Sequence, residues 1–233
     1  MDPTERLAEA HLKTRGFSTL VYEPDGNVPP DFLADGRVAA EVRRLNQNEQ
    51  GRAELRGLEE VEIPLLKHLD ALLASYGAPS KEAWWVTIDF KRPVPRWSTL
   101  EPLVKAFLDQ CVARNMQQRE RRTIGPNLTL DVFPRRRRSS RTFAVAFTSD
   151  DDSGGWVIPE LERNLRLCID EKTRKVAPYR SRYAEWWLLL VDLFAFGLDE
   201  FDRQHFRNEV HIAHTWDKVI IVNPVRPSDH FTL

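Results

Sequence analysis

The sequence predicts an α/β fold in which a mixed central sheet is flanked by helices. Three short apolar stretches are typical of buried strands: Trp84–Phe90, 186–191 and Lys218–Val222. Periodicity alone would also allow a helix over 186–191, but this stretch is short and unbroken in its apolar character, which favours a strand. Leucines recur at helical spacing over residues 52–76, and a second long helix is predicted over residues 159–176. Because helices and strands alternate along the chain, the sequence belongs to the α/β class.

The length of the chain, 233 residues, allows one well-buried core with insertions, and we predict a single domain over the whole chain. The segment 118–155 is rich in arginine, and we predict an insertion there with a pair of strands at 127–133 and 142–147. A short helix at 199–208 and the strand Lys218–Val222 then form a C-terminal αβ extension.

Charge and cysteine content limit the partners and the compartment. The 34 basic and 35 acidic residues nearly cancel, so contact with nucleic acid would need a local basic patch. Cys111 and Cys168 lie in neither a redox nor a zinc-finger spacing, which predicts a reduced, cytoplasmic compartment. The longest apolar run, residues 186–198, is too short to cross a bilayer and contains Asp192, so we predict no contact with a membrane.

A hairpin near the N-terminus contains the candidate site. Two short apolar runs flank Asp35-Gly36, a pair typical of a tight turn, so the chain should fold back on itself here. The pairing would bring Asp31, at the start of the first strand, and Glu41, near the end of the second, to one end of the sheet. Two carboxylates and a main-chain carbonyl form a set of hard oxygen ligands, the kind that binds Mg²⁺.

The same residues resemble a family motif. Pro30-Asp31, followed after nine residues by Glu41-Val42-Arg43, is similar to the motif of the PD-(D/E)XK nuclease superfamily. Glu5, on the helix predicted before the hairpin, resembles the first-helix glutamate of Holliday junction resolvases and related restriction-endonuclease-like folds. The resemblance implies a restriction-endonuclease-like αβββαβ core that acts on nucleic acid, DNA rather than RNA, and many nucleases of this fold act as homodimers.

The resemblance also implies a metal site. Asp31, Glu41 and the backbone oxygen of Val42 would bind Mg²⁺ or Mn²⁺, and Glu5 would assist through water or a second metal ion. The metal ion would polarise the scissile phosphate and lower the pKa of the attacking water.

One position departs from the family pattern. Arg43 stands where the family has a lysine. Arginine stabilises charge on a phosphate, but it stays protonated and cannot shuttle a proton as a lysine can. Lys172, on the predicted helix 159–176, is a candidate for the missing amine.

Arginine-rich segments are candidates for phosphate contacts. Arg44 follows the motif, and the run in the predicted insertion would present a positive ridge to a nucleic-acid backbone. The candidate nucleic-acid-binding residues are Arg44, Arg135, Arg136, Arg137, Arg138 and Lys172. The alternative is a solvated loop whose charge is balanced by the acidic segment 150–152.

Each candidate also has a purely structural interpretation. Asp31 can cap a turn after two prolines, and Glu41 can lie on the solvated face of an edge strand. Glu5, three residues after Asp2, is placed to close a capping box at the start of a helix. Trp84-Trp85 are predicted to lie in the core rather than to stack on bases, because they fall inside an apolar run.

Two functions follow from these predictions. The first is a metal-dependent endonuclease that hydrolyses phosphodiester bonds. The second is a nuclease-fold protein without activity that binds nucleic acid or assembles with other proteins, as the absence of the motif lysine would permit. A nuclease should lose activity with EDTA or on Asp31→Ala or Glu41→Ala, whereas a binding module should keep its affinity.

Overall fold

A computed structural model describes residues 1–49, 55–79, 82–136, 139–194 and 198–233 of the chain. The elements within these ranges, in chain order, are α1 Pro3–Thr14, β1 Leu20–Tyr22, β2 Phe32–Ala34, β3 Val38–Leu45, α2 Glu59–Ser75, β4 Trp84–Phe90, α3 Trp97–Ala113, β5 Glu120–Gly125, β6 Leu128–Pro134, β7 Phe143–Asp150, α4 Val157–Val176, a 3-10 helix Ala177–Arg182, β8 Glu185–Asp192, α5 Glu200–Glu209, β9 Lys218–Val222 and β10 His230–Thr232.

The chain divides into two compact units. Unit 1 comprises Met1–Leu55 and Gly155–Leu233, and unit 2 comprises Arg56–Gly154. Unit 2 therefore lies between the two parts of unit 1 in the sequence, and it begins well before the insertion predicted at 118–155. Both units combine helices with a mixed sheet, so the predicted α/β class is confirmed.

Unit 1 contains a six-stranded sheet in the order β1-β2-β3-β8-β9-β10. The first three strands form an antiparallel meander, β3, β8 and β9 run parallel, and β10 is antiparallel to β9. A parallel pair needs a crossover connection, and the crossover from β3 to β8 includes α4.

The two faces of this sheet are covered by different helices. Successive residues of a strand point to opposite faces, and β3 follows this rule. Ala40 packs with Leu12 of α1, whereas Ala39 and Leu45 pack with residues of α4. Glu41 is two residues after Ala39 on the same strand, so its side chain points to the same face of the sheet, the one that α4 covers.

The turn between β2 and β3 has the predicted geometry. Asp35 and Gly36 both have positive φ angles, 48° and 63°, and the N–H of Arg37 donates to the carbonyl of Ala34. The carboxylate of Asp35 also accepts hydrogen bonds from the backbone of Ser18 and Thr19, which holds the turn against the chain before β1. The predicted hairpin is therefore confirmed.

Unit 2 contains a four-stranded sheet in the order β5-β6-β4-β7. β4 is antiparallel to β6 and parallel to β7, and α2 and α3 pack on one face of the sheet. The predicted pairing of 127–133 with 142–147 is wrong, because β4 lies between these two strands. The prediction of one central sheet is also wrong, since β4 joins the arginine-rich strands rather than the sheet of unit 1.

Two further points concern the helices. α2 begins at Glu59, and the start of the helix predicted over 52–76 lies partly outside the described residues. Within the described part of the chain, no helix combines the length and the apolar character that a bilayer span requires.

Candidate functional site

The hairpin of unit 1 brings Asp31 beside β3. Phe32 pairs with Ala40, so Asp31 comes level with Glu41 one position further along the pair. The Oδ2 atom of Asp31 accepts a hydrogen bond of 2.7 Å from the backbone N–H of Val42. This register places the two carboxylates at the same end of the strand pair, as the hairpin predicts.

Glu41 is completely buried, with an exposed fraction of 0%. β3 lies between β2 and β8, so the alternative interpretation of Glu41 as a residue on a solvated edge strand is wrong. The Oε1 atom of Glu41 accepts hydrogen bonds from the Nζ atoms of Lys172 and Lys175, each at 2.8 Å. We call Asp31, Glu41, Lys172 and Lys175 the acid-lysine cluster.

The two lysines come from one side of α4. They are three residues apart, a spacing that puts both side chains on the same face of a helix. Cys168, Ile169 and Val176 belong to the same side and pack in the core of unit 1. Lys172 is buried with them, whereas the side chain of Lys175 is 48% exposed. The apolar face of α4 therefore fixes the position of the ammonium groups beside β3.

Burial of the charged groups in this cluster costs free energy unless they remain in contact with one another. A charged group loses its hydration on burial, and an ion pair must compensate for that loss with close contacts. Glu41 has two such contacts, but its second oxygen, Oε2, is buried and has no hydrogen-bond partner among the described residues. A buried oxygen of this kind is a natural position for a cation or a bound water.

The pKa of Asp31 is raised from 3.8 to about 6. Burial of the carboxyl is the largest cause, and repulsion from Glu41 adds to it. The charges of Lys172 and Lys175 and the hydrogen bond from Val42 act in the opposite direction but are outweighed. Burial thus favours the protonated form of Asp31 more than water does, in spite of the two lysines nearby.

The pKa of Lys175 is also raised. Burial by itself lowers it, but the hydrogen bond to Glu41 and the attraction of Glu41 and Asp31 outweigh burial. The ammonium form is therefore the one that the cluster stabilises.

A polar cavity of about 300 Å³ opens beside the cluster. Residues from α1, from β3 and from α4 line it together with Asp31: Asp2, Thr4, Glu5, Val42, Arg43, Arg44, Glu171, Lys172 and Lys175. Acidic and basic side chains both face this space, so it suits a ligand that carries an anion next to a cation, such as a phosphate with its metal ion.

Glu5 lines the cavity and also closes a capping box. Its N–H donates to Oδ1 of Asp2 at 2.8 Å, and its Oε2 atom accepts from the backbone N–H of Asp2, which confirms the predicted cap of α1. The same Oε2 atom accepts a hydrogen bond of 3.0 Å from the hydroxyl of Tyr22. Glu5 is therefore close to the cluster and already has structural contacts.

Arg43 is two residues after Glu41 on β3, so its side chain also points towards α4. Its Nε atom donates to Oε2 of Glu171 at 2.7 Å, and its side chain is 15% exposed. The guanidinium is thus fixed at the wall of the cavity, where it can bind an anion but is held by a carboxylate.

The candidate nucleic-acid-binding residues fall into three groups. Arg44 lines the cavity of unit 1 and is exposed, whereas Lys172 is buried beside Glu41. Arg135 and Arg136 belong to unit 2, directly after β6. The remaining two, Arg137 and Arg138, lie outside the described residues.

The cavity and the buried Glu41 beside it together provide ligands that fit a magnesium ion in chemistry. Among the residues that the structure describes, no group of three His, Cys, Asp or Glu side chains is arranged to bind a metal ion. Mg²⁺ needs less than that, because it keeps several waters and binds through one or two carboxylates and substrate phosphates. Asp31 and Glu41 supply two carboxylates. Val42 adds a carbonyl, which points to the same side as its N–H because both groups of a strand residue face one neighbour.

Sequence reasoning found Lys172 but missed Lys175. The signal was present in Glu171-Lys172-Thr173-Arg174-Lys175, since residues at i and i+3 share a helix face. The sequence did not show which side of this helix would meet β3, because four of these five residues are charged.

Comparisons of the chain with protein-family models, with curated proteins and with solved structures returned no match.

Proposed function

We propose that the chain is a metal-dependent nuclease that hydrolyses phosphodiester bonds, in DNA rather than RNA, with a restriction-endonuclease-like core in unit 1. The approach of Asp31, Glu41 and Lys172 to one another carries the proposal, since an acid pair with a lysine is what the family motif provides. The order of α1, β1, β2, β3, α4 and β8 in unit 1 supports it, because this is an αβββαβ sequence with β3 and β8 parallel.

Asp31, Glu41 and the carbonyl of Val42 would hold Mg²⁺ or Mn²⁺ where the acid-lysine cluster meets the cavity. When bound there, the ion would polarise the scissile phosphate and lower the pKa of the attacking water. The raised pKa of Asp31 and the unpartnered Oε2 atom of Glu41 support this assignment, because a cation would relieve both.

Lys172 would take the place of the motif lysine, although it comes from α4 rather than from β3. Its Nζ atom lies 2.8 Å from Oε1 of Glu41, within reach of a ligand held by that carboxylate. The ammonium group would stabilise negative charge on the phosphate. Arg43 and Arg44 at the cavity wall would bind neighbouring phosphate oxygens.

The test is cleavage of single-stranded, duplex and branched DNA, and of RNA, with Mg²⁺, Mn²⁺ or EDTA. Glu41→Gln keeps the shape of the side chain but removes the charge that holds the ion. Glu162→Gln changes a glutamate of α4 that pairs with Arg166 at the surface, and it is the matched control. We expect metal-dependent cleavage by the wild type and the control, and none by Glu41→Gln. Intact substrates in every reaction would refute the proposal.

One observation favours the second function, a nuclease-fold protein without activity. Lys172 and Lys175 together carry as much positive charge as Asp31 and Glu41 carry negative charge, so the cluster is balanced without a metal ion. Calorimetric titration with Mn²⁺ distinguishes the two functions. Binding that Asp31→Asn abolishes supports the nuclease. A chain that binds oligonucleotides but neither binds Mn²⁺ nor cleaves is the binding module.

A further inference from the structure

The sheet of unit 2 has one covered face and one open face. Trp84, Val86 and Ile88 of β4 point towards α2 and α3 and belong to the core of this unit. The alternate residues point the other way, and Trp85 and Phe133 are outside every described hydrophobic core cluster. An aromatic side chain on the uncovered face of a sheet adds little to folding and indicates a binding surface.

The open face presents an aromatic pair on its two central strands. Trp85 of β4 is directly opposite Phe133 of β6 in the antiparallel register, so the two rings are neighbours. Both side chains are half-buried. The prediction that Trp84-Trp85 lie in the core therefore holds for Trp84 and is wrong for Trp85.

A third aromatic residue reaches the same face through a bulge. The register between β4 and β7 shifts after Val86, so that Thr87 is opposite Phe147 rather than Ala146. Without this extra residue Phe147 would point towards the helices. It is instead 64% exposed. We call Trp85, Phe133 and Phe147 the aromatic face.

Arginine side chains surround the pair. The guanidinium of Arg135 stacks on the ring of Trp85, with its carbon 4.0 Å from the ring centre. A cavity of about 490 Å³ is lined by Trp85, Phe133, Pro134, Arg135 and Arg136, and none of the described residues in its wall is a carboxylate. Its volume is in the range of sites for small organic groups, and it is large enough to admit a flat group such as a nucleobase.

Two more arginines lie at the neighbouring edge of this sheet, Arg121 on β5 and Arg119 directly before it. Arg119 binds Asp131, and Arg121 binds Asp89. These ion pairs hold the arginines in place but leave their side chains 67% and 57% exposed. Phosphates passing over this edge would meet fixed positive groups.

We infer that the aromatic face of unit 2 binds single-stranded nucleic acid, with bases stacked on Trp85, Phe133 and Phe147 and phosphates bound by the surrounding arginines. Stacking on aromatic rings and on guanidinium planes is how proteins hold unpaired bases. A duplex is excluded from this mode because its bases are already stacked on each other. The site is in unit 2 and uses no metal ion, so it does not depend on the proposed nuclease activity.

The test is fluorescence anisotropy of labelled oligonucleotides of about 20 nucleotides, long enough for one such surface. Single-stranded DNA, single-stranded RNA of the same sequence and duplex DNA are titrated with the full chain in EDTA, so that cleavage does not occur. The variants are Trp85→Leu, Phe133→Leu and Phe147→Ser. Trp156→Leu is the matched control, because Trp156 is 86% exposed and belongs to unit 1.

We expect single strands to bind more tightly than the duplex. Each aromatic variant should weaken that binding about tenfold, the usual loss for one stacked base, whereas Trp156→Leu should not change it. Equal affinity for single-stranded DNA and RNA would mean that the aromatic face contacts bases and phosphates only. Tighter binding of RNA would indicate an additional contact to the 2′-hydroxyl.

Folding of each variant is checked by circular dichroism. Phe147→Ser keeps the test decisive if Trp85→Leu fails to fold, because Phe147 is the most exposed of the three rings of the aromatic face. Wild-type affinity in folded aromatic variants would overturn the inference, and so would tighter binding of duplex than of single strands. Since these titrations contain no metal ion, their failure is separate from a failure to cleave DNA.

Discussion

The two candidate sites place side chains in opposite kinds of unfavourable environment. In unit 1 the acid-lysine cluster buries a carboxylate and an ammonium group among apolar residues. In unit 2 the aromatic face exposes rings that would be more stable in a core. A buried charge needs its partners, whereas the three rings of the aromatic face lie outside the core clusters of the described residues. The first site should therefore be coupled to the stability of its unit, and the second should be nearly independent of it.

The largest effect is expected from Glu41→Leu. This change leaves the buried ammonium of Lys172 without its carboxylate, and we expect a loss of about 3–5 kcal/mol in the free energy of unfolding. Replacing both partners, in Glu41→Leu with Lys172→Met, should recover most of that loss, because two apolar side chains need no ion pair. Urea denaturation measures both. A double variant less stable than the single one would contradict the coupling.

The adjacent tryptophans of β4 give the most direct test of the comparison. Trp84 is buried and donates a hydrogen bond of 2.9 Å from Nε1 to the carbonyl of Met116, so Trp84→Ala should cost about 3–5 kcal/mol. Trp85→Ala removes a ring from the open face and should cost about 1 kcal/mol or less. Urea denaturation of the two variants in parallel is the measurement. Equal losses would mean that Trp85 belongs to the core after all.

Asp31 should make the stability of the folded chain depend on pH. Because the pKa of Asp31 is raised to about 6 in the folded chain, the folded state holds its proton more tightly than the unfolded state. Between about pH 4 and pH 6, stability should therefore fall as the pH rises, by about 2–3 kcal/mol in total.

Asp31→Asn should abolish this part of the pH dependence and make the chain more stable above pH 6, since an amide oxygen can still accept from Val42. Thermal unfolding in EDTA at several pH values measures the effect. An unchanged pH profile in Asp31→Asn would show that another group causes it.

The smallest effect on stability is expected from Glu5→Gln. Glutamine can close the same capping box, so the free energy of unfolding should change by less than about 0.5 kcal/mol. The charge at the cavity wall is lost, and metal-dependent cleavage should become slower if Glu5 assists the metal site. A variant with wild-type cleavage would leave Glu5 with the structural role alone.

Several features of the candidate site could be predicted because they depend on neighbours in the sequence. Asp35-Gly36 favours positive φ angles, so the hairpin and the register that puts Asp31 beside Glu41 follow from the turn. The cap of α1 follows from Asp2 and Glu5. Helical periodicity was also enough to predict α4, and a short unbroken apolar run was enough to predict β8.

Other features depend on contacts between distant segments. The pattern of β4 alternates between apolar and other residues, which places Trp84 and Trp85 on opposite faces, but it does not say which face the helices cover. The pairing of β4 with β6 and β7 was missed because an apolar strand fits either sheet equally well. Lys175 was missed because helical spacing shows that Lys172 and Lys175 share one face of the helix, but it does not show which strand that face contacts.

The sequence by itself determined the α/β class, the hairpin, the acidic pair and the helix that carries Lys172, because local propensity and periodicity specify these elements over a few residues. Only the tertiary structure decided that the strands form two sheets, that two lysines meet Glu41, and that Trp85 remains uncovered. The physical reason is that burial depends on which elements pack together. Many pairings satisfy the same short-range pattern, and only the complete set of contacts distinguishes them.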